Sequence, residues 1–445
     1  MRPQRLVVVG GVAGGMSAAA KAKRQNPALE VTVFERNAYI SYGACGLPYA
    51  TSGVVPNLQR LIARTPAAMR ARGVDVRVRH EVTEVDGERR CVKGRNLETG
   101  EAFCAPYDAL VLATGALPVC PQVPGRALPG VHVMRRLEDA AALREAIAAG
   151  ATRAVVVGGG YIGLEMVEAL VTAGLDVRVL ERQAGLLLPF GPKPAELALE
   201  EVTARAEVVL AAELLGFEGR GRLERVVTSA GTFPADVALV AVGVRPNNAL
   251  ARALGLRLGP AEAVLTDAQL RTDRDGVFAV GDLTAAHHRV TGRPAWIPLG
   301  DTANRQGRVA GTVIGGGDAR FRGIVGTAIT KVFERAFATT GLTLAEAQRH
   351  GLSARETQIT TTDHASYYPG HRPLHVTLVW EEGTGRLLGG QLVGYGDAVK
   401  RIDVLAALLF RQGTLQDLAD LDFAYAPPFS NVWDPLAVAA NAALG

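Results

Sequence analysis

Ala154-Val155-Val156-Val157-Gly158-Gly159-Gly160-Tyr161-Ile162-Gly163 sets a short apolar run against a glycine turn, with the helical stretch Leu164 to Ala173 behind it. A continuous apolar run bounded by glycine reads as a strand buried on both faces of a parallel sheet. Gly158, Gly160 and Gly163 fit G-x-G-x-x-G, in which the glycines let the backbone approach a pyrophosphate at a helix N-terminus. A second strand, Val177 to Leu180, ends at Glu181, 18 residues beyond Gly163. An acid at that place accepts a hydrogen bond from a ribose 2′-hydroxyl and repels a 2′-phosphate, which favours NADH.

The same unit opens the chain. Leu6 to Val9 is a strand, Met16 to Arg24 is helical, and Val31 to Phe34 ends at Glu35, 20 residues after Gly15. Gly10 and Gly15 match the outer glycines of the turn, while Val12 takes the middle place. Two such units imply two Rossmann-like dinucleotide-binding domains in an α/β chain. Short strands ending in glycine follow: Ala109 to Ala113, Ala238 to Val242, and Val277 to Val280 before Gly281-Asp282. From about Gly326 the texture changes. Strand-like stretches at Ala328 to Phe333, Leu374 to Trp380 and Leu387 to Val393 lead to helical segments at Asp403 to Arg411 and Leu436 to Ala443. This reads as a separate α+β domain.

The 445 residues are enough for about three domains with their own cores, and the formal charge of +4 makes no case for nucleic acid or a membrane surface. No apolar run reaches the roughly 18 residues of a transmembrane helix. The N-terminus superficially mimics a secretory leader, but Gly10, Gly11, Gly14 and Gly15 interrupt it, and strand-turn-helix explains it better. Four cysteines in so long a chain are no disulfide scaffold, so reduced thiols and a cytoplasmic location are expected. The eight histidines show no metal-ligand spacing, and no metal is expected.

A hydride-transfer enzyme with two nucleotide domains needs a second carrier, and FAD passes electrons from a nicotinamide to sulfur or oxygen. Gly281-Asp282 after its strand suits a carboxylate on the flavin's ribityl chain. Ser41-Tyr42-Gly43-Ala44-Cys45-Gly46-Leu47-Pro48-Tyr49 follows the first unit and puts a thiol near that flavin. Cys45 precedes Gly46 and Pro48 and is expected to head a helix whose dipole lowers its pKa. Ala50 stands where a C-x4-C partner would be, so a single thiol must work through a mixed disulfide, a persulfide or a sulfenic acid. Cys91, Cys104 and Cys120 lack this context and read as structural.

The Gly10 to Gly15 turn, the Ser41 to Tyr49 segment and Tyr425-Ala426-Pro427-Pro428-Phe429 together resemble the coenzyme A-disulfide reductase branch of the FAD-dependent pyridine nucleotide-disulfide oxidoreductases. The likeness covers essentially the whole chain. It implies FAD, NAD(P)H with NADH favoured, and a small-molecule disulfide or persulfide, coenzyme A-containing. It implies a homodimer whose C-terminal domain caps the partner's flavin site. Cys45 matches the redox nucleophile; Tyr425, with Tyr367 and Tyr368, matches residues reaching that site from the partner subunit. Ser17, Lys21, Arg24 and Ser41 fall at positions that bind coenzyme A. Ala44 replaces a common Asn, and Trp433 lies where a basic residue is expected. The implied division is residues 1–115 and 251–325 for FAD, 116–250 for NAD(P)H and 326–445 for dimerisation. The alternatives within this reading are an NADH oxidase, a polysulfide or sulfur reductase, and a flavoprotein reductase of a protein acceptor.

Overall fold

The structure, a computed structural model, describes residues 4–445; Met1–Pro3, part of the leader-like stretch, lie outside the described residues. The chain enters through β1 (Arg5–Val9), α1 (Ala13–Gln25), β2 (Glu30–Phe34), β3 (Val74–Arg77) and β4 (Ala109–Leu112). It then builds a second unit from β5 (Val131–His132), β6 (Arg153–Val157), α2 (Tyr161–Thr172), β7 (Asp176–Leu180), β8 (Glu207–Val209) and β9 (Val237–Val240). Only afterwards does β10 (Val277–Ala279) complete the first sheet, followed by α3 (Gly300–Ile314).

The two sheets are parallel, in the orders β10-β4-β1-β2-β3 and β8-β7-β6-β9-β5. In each, the chain turns one way from the central strand to the next and the other way to its far neighbour. The crevice at the carboxyl end of β1 and of β6 is therefore a topological switch point, where ligands of such sheets bind. Leu6 to Val9 and Ala154 to Val157 are buried along both faces, which is why the sequence shows no polar alternation there.

The C-terminal domain is an antiparallel sheet in the order β11-β12-β15-β14-β13, from β11 (Ala328–Val332), β12 (Arg335–Gly341), β13 (Ala354–Thr362), β14 (Pro373–Glu381) and β15 (Leu387–Tyr395). Helices α4 (Ile402–Arg411) and α5 (Pro435–Leu444) pack against it. Val332, Phe337 and Val393 of this sheet share one apolar cluster with Leu164 and Val167 of α2, so the second and third units are joined by a continuous core. No helix of the described residues is long and apolar enough to cross a membrane.

One expectation is corrected. Cys91 and Cys104 are joined by a disulfide, with their Cα atoms 6.3 Å apart, and are not reduced thiols. They lie on adjacent antiparallel strands, Cys91–Asn96 and Ala102–Pro106, in a register that sets Cys91 opposite Pro106 and Cys104 opposite Lys93, so the two cysteines are diagonal neighbours. Cysteine spacing alone carries no register. Cys45 and Cys120 are free and exposed.

Candidate active site

The two glycine turns are built alike. Gly10 and Gly158 adopt φ of +108° and +112°, and a Cβ on them would stand 2.2 and 2.4 Å from the carbonyl oxygens of Ala113 and Ala241. A Cβ on Gly15 or Gly163 would fall 1.9 or 2.0 Å from the carbonyl of Gly10 or Gly158, so α1 and α2 can press onto their strands only without a side chain there. At Gly160 no atom lies within 4 Å of a Cβ, which leaves open space before the N-terminus of α2. Neither helix start carries a side-chain cap or an acid in its first turn. Their unpaired N–H groups and positive dipole ends suit a pyrophosphate.

Each turn is braced by the acid that ends the neighbouring strand. Glu35 accepts from Gly11 N at 2.8 Å and from both nitrogens of Asn37 at 2.7 Å. Glu181 accepts from Gly159 N and Gln183 N, each at 2.7 Å. Burial pushes the Glu35 carboxyl above the usual range. Arg178, near Glu181 in sequence, is engaged elsewhere: it pairs with Glu207 and lies 4.7 Å over the Phe233 ring.

Cys45 sits in a short 3₁₀ turn, Ala44–Gly46, that runs into a helix over Leu47–Thr51. The loop is tied to the first turn, because Ser41 N donates to Gly11 O at 2.9 Å and Ser41 holds φ of +46°. A serine in that left-handed region is strained and persists because its surroundings fix it. The expectation of a lowered thiol pKa is corrected. Although the residue keeps solvent access, desolvation by the protein packed around the sulfur pushes the Cys45 thiol up, and the charges of Glu165 and Asp282 add to the effect, with Arg135 opposing them. A helix of five residues supplies little dipole against two carboxylates.

These charges come from three directions. Glu165 lies on α2 and accepts from Thr330 Oγ1 of β11 at 2.9 Å; burial raises its pKa. Asp282 follows β10 and accepts from Arg135 Nη2 at 3.0 Å, while its carbonyl accepts from Trp296 Nε1 at 2.8 Å. Tyr49 and Tyr161 share the cluster, and burial raises both phenols. Cys45, Asp282 and Gly281 are thus gathered as the sequence suggests. Arg135, Tyr161 and Glu165 were missed there. Tyr161 and Glu165 lie four apart on α2, on the face just behind the glycine turn, and that spacing was the available signal.

The remaining candidates stand apart within one chain. Tyr367 and Tyr425 touch through their hydroxyls at 3.1 Å and belong to an exposed patch with Tyr368, Phe429, Val432 and Trp433. Ser17 Oγ donates to Asn304 Oδ1 of α3 at 2.6 Å. Lys21 Nζ donates to Gln25 at 3.0 Å, and Arg24 is exposed.

Residues 4–307 match the model of the pyridine nucleotide-disulphide oxidoreductases, and residues 327–437 match the dimerisation domain of that family. The chain is 38% identical over 438 residues to an NAD(P)H sulfur oxidoreductase (CoA-dependent) of Pyrococcus abyssi, covering 98% of this chain and 97% of the relative. It is 30% identical over 434 residues to a coenzyme A disulfide reductase of Staphylococcus aureus, covering 97% of each. The solved structure of an NAD-dependent persulfide reductase from A. fulgidus superposes with a TM-score of 0.96 at 36% identity, over 99% of this chain and 83% of that one. With both glycine turns, the single thiol and the C-terminal sheet accounted for, the chain belongs to the FAD- and NAD(P)H-dependent pyridine nucleotide-disulfide oxidoreductases.

Proposed function

We propose that this oxidoreductase reduces coenzyme A disulfide, or a coenzyme A-linked persulfide, through Cys45 as its one redox thiol. The observation that carries the reading is the position of that thiol. Cys45 is free and exposed, and it lies within charge range of Asp282 at the end of the first sheet and Glu165 on the helix of the second. When bound, FAD supplies a two-electron relay between nicotinamide and sulfur. The first turn, Glu35 and Asp282 would hold it; the second turn and Glu181 would hold NADH in preference to NADPH. In residue numbers, 1–115 and 251–325 serve the flavin, 116–250 the nicotinamide and 326–445 the dimer.

The Cys45 thiolate attacks the disulfide, forms a mixed disulfide and releases the first thiol. Two electrons returning to that sulfur release the second thiol and restore the thiolate. The leaving sulfur needs a proton, and Tyr425 of the partner subunit is the donor in this reading, with Tyr367 and Tyr368 beside it. A homodimer also covers the exposed aromatic patch. Ser17, Lys21, Arg24 and Ser41 serve the coenzyme A moiety. Restoring a thiolate at every turnover suits a reducing compartment, which we take to be the cytoplasm, with the Cys91–Cys104 disulfide as an exception there.

Cys45→Ser is expected to abolish reduction of coenzyme A disulfide and of polysulfide while NADH-to-dye electron transfer persists. Disulfide turnover retained in that variant moves the chemistry to another residue. If wild type reduces only O2, the enzyme is an NADH oxidase.

A further inference from the structure

A basic cavity lies away from the Cys45 cluster. It has a volume of about 450 Å³ between α3 and the C-terminal domain, and Arg305, Arg308, Arg320, Arg322, Phe321 and Phe410 line it. Four arginines line one space. Arg305 is fixed: its Nη2 donates to Gly323 O at 2.9 Å, it lies 5.2 Å over the Phe321 ring, and Asp301 stands 3.7 Å away. The Arg308, Arg320 and Arg322 side chains make no ion pair or hydrogen bond among the described residues. A fifth cation stiffens the wall. Arg289 lies 4.1 Å over Phe410, and it donates to the carbonyls of Phe410 at 2.9 Å and Arg322 at 3.2 Å.

Many arginines in this chain reach a carboxylate, whereas these three line a hollow instead. Like charges held together without a counter-ion repel one another, so an anion entering the space is bound by all of them. A guanidinium fork matches phosphate oxygens bidentately. The volume is too large for one phosphate and falls within the range of about 300–1,000 Å³ of small-molecule sites. Phe321 and Phe410 give the hollow an apolar floor suited to an organic body.

We infer that this cavity binds a ligand carrying adjacent phosphates on a nucleoside-like body, with Arg308, Arg320 and Arg322 as its phosphate contacts. The ligand has two chemical sources. Arg308 stands one turn beyond Asn304, which accepts from Ser17, so α3 runs from the proposed coenzyme A residues to the cavity. The phosphates are then those of the substrate itself, or those of a free nucleotide acting as an effector. Binding is measured without turnover and stands or falls apart from the proposed reaction; only the choice between the two sources rests on that reading.

Calorimetric titration of the FAD-loaded protein at low salt, with inorganic pyrophosphate and with ADP as probes, tests it. Saturable binding is expected, tighter for ADP. Arg308→Ala and Arg320→Ala should each weaken it by about tenfold or more, and Arg308→Lys by less. Both side chains are exposed, and an unchanged flavin spectrum and NADH-to-dye rate would show that the variants are folded. Pyrophosphate that competes with coenzyme A disulfide but not with polysulfide assigns the site to the substrate's phosphates. Binding without competition assigns it to a separate nucleotide. Absence of saturable binding, or binding that both alanine variants retain in full, overturns the inference.

Discussion

Replacing Glu165 by Gln removes one of the two carboxylate charges that face the Cys45 thiol. The other groups around the sulfur are Asp282, Arg135, Tyr49 and Tyr161, and all remain. A negative charge disfavours a second one nearby, so its loss makes the thiolate easier to form. The pH profile of kcat/KM for the disulfide should therefore move to lower pH in Glu165→Gln. A profile that stays in place, or moves upward, separates Glu165 from the thiol. In the proposed reading, Glu181 sets nucleotide choice by the same kind of contact. Its carboxylate already accepts from Gly159 and Gln183 and still has lone pairs for a ribose hydroxyl. Glu181→Ala should cut the preference for NADH over NADPH by roughly tenfold, the order of one charge-assisted hydrogen bond. An unchanged ratio of the two kcat/KM values refutes that role.

Each glycine turn acts as one element, and a single methyl group is enough to separate the two nucleotide sites. Gly15→Ala drives a Cβ to within 1.9 Å of Gly10 O and should give protein that is purified with little or no FAD. Gly163→Ala makes the same clash, 2.0 Å from Gly158 O, but in the other unit. That variant should keep its yellow colour and lose NADH-driven activity at least tenfold, while chemical reduction of the flavin survives. Equal FAD loss in both variants would contradict the division of labour. The elements that carry these turns were legible because their strands are buried on both faces and so read as unbroken apolar runs. The antiparallel strands His80–Asp86, Cys91–Asn96 and Ala102–Pro106 were not, since they are half-exposed and mix charge with apolar residues. Their disulfide was missed for the same reason. At the site, Cys45 and Asp282 announce themselves through neighbouring glycines. Arg135 does not, for its partner Asp282 is fixed by tertiary topology alone.

At the scale of the whole molecule, His288 lies where the first domain meets the third: its backbone bridges to Ile324 within the first, it is almost fully buried, and His350 and Glu346 of the third face it. Burial, with His350 and His287 nearby and Glu346 opposing them, lowers its pKa from 6.5 to about 4. The folded state thus binds fewer protons than the unfolded chain between those values, and stability falls as pH drops through that window. The loss from this group amounts to about 3 kcal/mol. Urea midpoints should decline between pH 6.5 and 4, and His288→Gln should flatten the slope; an equal slope in the variant excludes His288. The divided first sheet has its own consequence, for synthesis. Strand β10 pairs with β4 across the entire second unit, whose β5 to β9 are continuous in the chain. On the ribosome the later-encoded unit is therefore the first that can close, and the earlier one stays open until residue 279 has emerged. A nascent chain stalled with residues up to 250 outside the tunnel should grip NADH before it can grip FAD, so the order of assembly inverts the order of translation.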